Sequence, residues 1–154
     1  MTQTNHPGVV LPPPALYAGA LILVLLLRWL WPLEVFPDRF AWPLGMTVLL
    51  LGIAFNAWGA YSMIKAKTPI NPYLPTNTIV ATGAFGVSRN PLYVSLDTIF
   101  VGLSLILNSL WGVLMLVPLL VVMHYGVIVR EERYLEARFG EAYRQYCSKV
   151  RRYL

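Results

Sequence analysis

The side chains able to do chemistry are few in this sequence, and they sit at definite places. Asp97 and His124 fall inside long apolar runs. Glu131 and Glu132 stand together just beyond one such run, Arg89 closes a loop containing Gly83 and Gly86, and Cys147 is the single thiol. Charged groups within or beside apolar spans are costly, so each reads first as functional. The chemistry open to this set is that of charge and hydrogen bonding. No second His or Cys lies at ligand spacing from His124, so it reads as a hydrogen-bonded bundle residue rather than a metal ligand, and no metal is expected. Asp97 lies about one turn beyond Tyr93; a structural partner, Arg89 or Asn56, is the alternative to a functional role. Cys147 reads as a small packing residue, with reversible acylation as the alternative. Phosphate-cradling loops, zinc-protease motifs and serine-hydrolase elbows are absent.

The elements that must position these groups follow from composition. The chain has 154 residues, 57% of them apolar and 12% charged. A soluble domain carries about 25% charged residues. Disordered and ordinary water-soluble classes are excluded, and one cysteine cannot form an internal disulfide. A hydrocarbon core of about 30 Å needs roughly 20 apolar helical residues. Four segments answer to that, at about 15–31, 41–63, 91–107 and 111–129. Asn108, Ser109 and Leu110 leave only a tight turn between the last two, which form a helical hairpin. The expected fold is an all-α membrane protein. It has four transmembrane helices and a cytoplasmic amphipathic C-terminal helix in one integral membrane domain, residues 1–154. Residues 1–14 carry no Lys or Arg and hold Pro12, Pro13 and Pro14 before the first apolar run. That run is therefore expected to be a permanent span and not a signal peptide.

Ten of the 12 basic residues fall in the 65–90 loop or the 130–154 tail. With four spans, the positive-inside rule puts loop, tail and both termini in the cytoplasm, and Trp29, Trp31, Trp42 and Trp111 at the outer interface. A short chain of this kind suits a prokaryotic inner (plasma) membrane. The net charge of +5 is then a topology signal flanking a bilayer, and no nucleic-acid partner is expected.

Two cytoplasmic segments hold most of the polar information. The loop Lys65–Asn90 is 26 residues long. Loops of that length are usually functional or disordered. It is restricted by Pro69, Pro72 and Pro75, and it ends in a helix start with Asn90 placed to cap and Pro91 at the first helical position. A lid that merely covers helix ends is the alternative. In the tail, Glu131 follows His124 by seven residues and Glu132 follows Tyr125 likewise, so a regular helix puts each pair on one face. Gly140 suits a helix stop. Beyond it Tyr143, Tyr146, Cys147, Val150 and Leu154 recur at helical spacing between basic residues, which reads as an amphipathic helix lying on the inner leaflet. For the acid pair, the alternative is a helix end ion-paired to Arg130 and Arg133, where surface pairs contribute about 0–1 kcal/mol. For the last ten residues it is a solvated basic tail.

Taken in order, Thr82-Gly83-Ala84-Phe85-Gly86-Val87-Ser88-Arg89-Asn90-Pro91-Leu92-Tyr93, an apolar hairpin, Arg130-Glu131-Glu132-Arg133-Tyr134-Leu135, Arg138-Phe139-Gly140-Glu141-Ala142-Tyr143 and Tyr146 form a specific set. The set resembles the small integral membrane methyltransferases typified by isoprenylcysteine carboxyl methyltransferase and the phospholipid N-methyltransferases. The resemblance covers Lys65 to the C-terminus. It implies an S-adenosylmethionine cofactor at the cytoplasmic end of the last two spans and a lipid or lipophilic small-molecule substrate entering from the bilayer. The isoprenylcysteine enzymes typically carry His where this chain has Asn90; that departure bears on the substrate rather than on the cofactor.

On this resemblance the cofactor-binding candidates are Gly83, Phe85, Arg89, Asn90, Pro91, Tyr93, His124, Glu131, Glu132, Tyr143 and Tyr146. Arg89, Glu131 and His124 are the catalytic candidates. A carboxylate pair suits the ammonium of such a cofactor, and Arg89 suits its carboxylate. The faces of Tyr93, Phe85 and Tyr146 suit adenine or sulfonium. An amine acceptor would need a base, His124 or a glutamate. A small transporter, an assembly subunit without catalysis and a nicotinamide-dependent membrane reductase are the alternative functions.

Overall fold

The computed structural model describes residues 11–71 and 73–154. Residues 1–10, most of the segment expected not to be a signal peptide, and Pro72 of the long loop lie outside the described residues. Among the described residues six α-helices follow one another: α1 (Pro13–Leu30), α2 (Asp38–Lys65), α3 (Pro91–Ile106), α4 (Leu110–Met123), α5 (Val129–Phe139) and α6 (Glu141–Lys149). A 3-10 turn at Gly83–Gly86 precedes α3, and a π turn at His124–Ile128 joins α4 to α5. No strand occurs among the described residues.

The expected all-helical character is found. Among the described residues three helices are long and apolar enough to cross a membrane: α1, α2 and the continuous run Leu110–Phe139. The third expected span is shorter. α3 has 16 residues, so it rises about 24 Å at 1.5 Å per residue. Pro91 opens it at the first position, and Asn108, with φ of 47°, turns the chain out of it. Many large apolar side chains on α1, α2 and α4 are exposed, Trp29, Leu26, Leu51 and Val117 among them. An integral membrane protein leaves such a surface for lipid to cover.

α2 packs closely along α3, while α1 lies against α3 and α4 and makes little contact with α2. The α2–α3 seam is built from glycines seven residues apart. A Cβ on Gly45 would stand 2.5 Å from the Ile106 nitrogen, one on Gly52 2.9 Å from the Ile99 nitrogen, and one on Gly59 2.9 Å from a Leu92 methyl. Gly102 answers from α3 against Leu49. Small residues let two backbones approach where lipid offers no hydrophobic drive to associate. Across the seam Asn56 donates to Ser95 Oγ at 2.7 Å. A second cluster joins Tyr17 and Val24 of α1 to Phe100, Leu119, Met123 and Val127.

Asp97 is not paired with Arg89 or Asn56 as its alternative reading held. Its carboxylate accepts a 2.5 Å bond from Tyr17 on α1. A partly buried carboxylate takes whichever donor the packing brings near, and α1 lies against this face of α3.

At the hairpin end, one side chain ties the bundle together. Asn108 Oδ1 accepts from the Val35 and Phe36 amides, both at 3.1 Å, and Nδ2 donates to Phe36 O at 2.8 Å and Asp38 Oδ1 at 2.9 Å. Arg28 donates to the Asn108 carbonyl at 3.1 Å. Trp111 Nε1 donates to Trp31 O at 2.7 Å, so these two of the four tryptophans expected at one interface meet at this end. Asn108→Ala strands these loop amides and puts alanine at a φ that asparagine tolerates better. We expect a cost of about 2–3 kcal/mol. For a chain of this size that is a melting point lower by on the order of 5–10 °C. Thermal unfolding in detergent checks it; an unchanged melting point refutes the tie.

Candidate functional site: a chamber at the end opposite the hairpin

The site is built where α2 ends, α3 begins and α5 leaves the bundle. The 3-10 turn brings the loop back against α2. Gly83 has φ of 63°, and a Cβ there would collide with Ser62 Oγ. Ser62 Oγ also accepts the Ala84 amide at 3.4 Å. Only glycine allows this left-handed approach.

The chain then passes under the C-terminal tail. The Arg89 amide donates to Arg151 O at 2.9 Å, Asn90 Nδ2 to Arg152 O at 3.0 Å, and Ser88 Oγ to the same carbonyl at 3.4 Å. Asn90 does occupy the cap position before Pro91, but its side chain makes no capping bond and serves the tail instead. From the other side, Tyr146 donates to Phe85 O at 2.7 Å. Burial pushes the Tyr143 and Tyr146 phenols well above their ordinary range, so both stay neutral donors.

The tail departs from expectation. Gly140, with φ of 53°, breaks α5 from α6 as expected, but α6 ends at Lys149, so Val150 and Leu154 lie outside the helix. Tyr143, Tyr146 and Val150 pack against Ile79, Leu135, Phe139 and Cys147, inside the protein rather than against a leaflet. The apolar face is consumed by the long loop and α5, because covering the chamber buries it as well as lipid would.

These elements enclose a cavity of about 740 Å³. That is within the range of small-molecule sites. Its ionic end holds Arg89, Glu131 and Glu132, with Tyr93, Phe85, Tyr143 and Tyr146 around them. Its other wall is apolar and belongs to the bundle: Pro12–Pro14 before and at the start of α1, Ala60 and Met63 of α2, Leu92 and Leu96 of α3.

Tyr93 donates to Glu131 Oε2 at 2.8 Å. Glu132 is held by two guanidiniums. Arg89 Nη1 approaches its Oε1 at 3.2 Å, and Arg152 grips it bidentately, Nε to Oε1 at 3.0 Å and Nη2 to Oε2 at 2.8 Å. The bonds to Glu132 raise the Arg152 guanidinium further above its ordinary range. Arg89 Nη1 also donates to Cys147 Sγ at 2.7 Å, while its buried Nε has no partner among the described residues. The acid pair is therefore not merely a helix end tied to its sequence neighbours: the partners of Glu132 come from 43 residues before it and 20 after it.

Of the candidates, Phe85, Arg89, Asn90, Pro91, Tyr93, Glu131, Glu132, Tyr143 and Tyr146 all line the cavity. Gly83 and His124 are not among its lining residues; Gly83 shapes the turn, and His124 Nδ1 meets Tyr153 OH at 2.6 Å. The π turn is the reason. The Val129 amide bonds back to His124 O, five residues, instead of four. One extra residue in the turn rotates the following helix by about 100° relative to an unbroken one. His124 and Glu131 then leave their common face, and Tyr125 is 68% exposed while Glu132 is 15% exposed. Arg152 and the walls from α1 and α2 were not anticipated. The seven-residue glycine spacing of α2 was a readable sign of close packing there, whereas nothing in the spacing of Arg152 points to Glu132.

Fold and chamber define a class: an integral membrane protein with a ligand-sized cavity, ionic at one end and apolar along its wall. The chain belongs to the phospholipid methyltransferase family, whose model matches residues 40–142, about two thirds of its length, and is thus a membrane methyltransferase. An uncharacterized protein of Haemophilus influenzae is 40% identical over 63 residues, 41% of this chain and all of that protein. No solved structure matches. α1, Tyr143, Tyr146 and Arg152 lie outside the segment that the family model covers.

Proposed function

We propose that the protein transfers the methyl group of S-adenosylmethionine to a lipophilic acceptor that reaches the chamber from the bilayer. The observation that carries this is the cavity itself, with buried opposite charges at one end and an apolar wall at the other. S-Adenosylmethionine supplies a sulfonium methyl, an ammonium, a carboxylate and an adenine. The residues fit that group. Glu131, oriented by Tyr93, suits the ammonium. Arg89, whose buried Nε is without a partner among the described residues, suits the carboxylate. Tyr146, Tyr143 and Phe85 offer ring faces for adenine.

Methyl transfer is an in-line displacement, so orientation supplies most of its rate; on the order of 7–11 kcal/mol is available this way. Closure of the loop and tail over the bound cofactor would exclude water from the ionic end and strengthen each charged contact there. An amine acceptor requires a base, and with His124 turned away a chamber glutamate is the candidate; a carboxylate or thiolate acceptor requires none. The apolar wall from α1, α2 and α3 suits an acyl or prenyl chain, and α1 and α2 stand apart beside it. Ten of 12 basic residues at the chamber's end support cytoplasmic termini, in a prokaryotic inner membrane.

Titration calorimetry of the detergent-solubilised protein with S-adenosylhomocysteine tests the reading. Wild type binds in the micromolar range, and Arg89→Ala weakens binding by about tenfold or more. A folded wild type that binds nothing removes the cofactor assignment. Binding of a nicotinamide nucleotide in its place makes the protein a reductase.

A further inference from the structure

We propose that Arg152, near the C-terminus, is a positioning residue that leaves Arg89 available to an anion inside the chamber. The inference rests on the methyltransferase reading and concerns a residue outside the segment shared with the family. Glu132 sits between two guanidiniums but is shared unequally. Arg152 meets both carboxylate oxygens with two donors, at 3.0 and 2.8 Å. Arg89 meets one oxygen with one nitrogen, at 3.2 Å. The planar fork of Arg152 matches the carboxylate, whereas the Arg89 contact is the looser one.

The charge count makes the consequence definite. With Glu132 facing Arg89 alone, any ligand anion that recruited Arg89 would leave a carboxylate only 15% exposed without its compensating charge. Removing one partner of such a pair is strongly unfavourable. Arg152 takes up the charge of Glu132 from outside the cavity wall. Arg89 can then exchange its one contact with Glu132, and offer the Nε that has no partner among the described residues, without stranding Glu132. The backbone agrees with this role. The carbonyls of Arg151 and Arg152 hold the Arg89 amide and the Asn90 side chain, so the guanidinium and the loop it serves are set by one short stretch of tail.

The test uses two nucleosides that differ in the part Arg89 would hold. S-Adenosylhomocysteine carries a carboxylate; 5′-methylthioadenosine keeps the adenosine thioether and lacks the amino-acid portion. Affinities for both are measured on the full chain, directly or by competition, for wild type, Arg152→Ala and Arg152→Lys. We expect Arg152→Ala to weaken S-adenosylhomocysteine by about tenfold or more and methylthioadenosine by less than about twofold. Lys restores the charge but not the fork, so Arg152→Lys recovers part of the loss, and it carries the test if the alanine variant does not fold. Equal losses for both nucleosides overturn the proposal and make the tail a plain brace. Unchanged affinity for both overturns it as well. A wild type that binds neither nucleoside fails at the earlier step, and takes the methyltransferase reading with it.

Discussion

On the proposed S-adenosylmethionine reading, Glu131→Ala is expected to abolish measurable methyl transfer and to lower S-adenosylhomocysteine affinity by about two orders of magnitude while the bundle stays folded. The size follows from the setting. The carboxylate lines the chamber between loop and tail, and Tyr93 fixes its direction with a 2.8 Å bond. Truncating one member of a buried charge pair costs about 2–5 kcal/mol, that is roughly 30-fold to several thousand-fold. The fold has little to lose. Among the described residues Glu131 is held by the Tyr93 hydroxyl, and a carboxylate without a countercharge there is itself a burden that alanine removes. Glu131→Gln separates charge from shape. If an ammonium is bound here, Gln loses nearly as much as Ala, because the amide keeps the geometry and not the charge. Tyr93→Phe leaves the carboxylate in place but unaimed, and its loss is the smaller one, on the order of tenfold. Calorimetry and gel filtration on the three variants read this out. Full binding by a folded Glu131→Ala protein would take Glu131 out of the site.

Much of this chamber is legible in the sequence, and the parts that are not share a cause. Asn108, Ser109 and Leu110 announce a hairpin because no other connection fits three residues. Pro91 marks the start of α3 because its missing amide costs nothing there. Arg89, Tyr93 and the acid pair are recognisable by type and order. Periodicity fails at the π turn, where a seven-residue interval no longer returns to the same face, so His124 parts from Glu131. It fails again at Arg152, whose partner lies 20 residues back, across a helix break at Gly140. It misleads for α6, whose alternation is real but whose apolar side meets the loop instead of lipid. An amphipathic pattern states that a face must be covered; it does not state by what.

The second large effect belongs to a residue that never approaches the chamber's charges. Gly102→Val prevents α2 and α3 from reaching their observed separation, and we expect little or no monodisperse protein to survive extraction. A Cβ on Gly102 would stand 2.6 Å from the Leu49 nitrogen and 2.7 Å from its Cα. Both are backbone atoms, so no change of rotamer relieves the contact, and valine adds two methyl groups beyond it. Overpacking generally costs about 1–3 kcal/mol, and more where the backbone itself must move. Here it must. Gly45 packs against the Gly102 carbonyl and Ile106 on the same seam, and the 2.7 Å bond from Asn56 to Ser95 crosses it two turns away. Moving the helices apart weakens all of these together. Gly19→Ala is the control: none of the described residues lies within 4 Å of the added carbon, and the change in a helix interior is neutral or slightly stabilising. Partial widening, if Gly102→Ala permits it, shifts Ala60 and Met63 on the apolar wall while Arg89, Glu131 and Glu132 keep their partners. Such a variant should bind S-adenosylhomocysteine normally and lose turnover with the lipophilic acceptor. A Gly102→Val protein that elutes and melts like wild type would show that α2 and α3 need no close seam. The apolar wall of the chamber would then owe its shape to something other than these glycines.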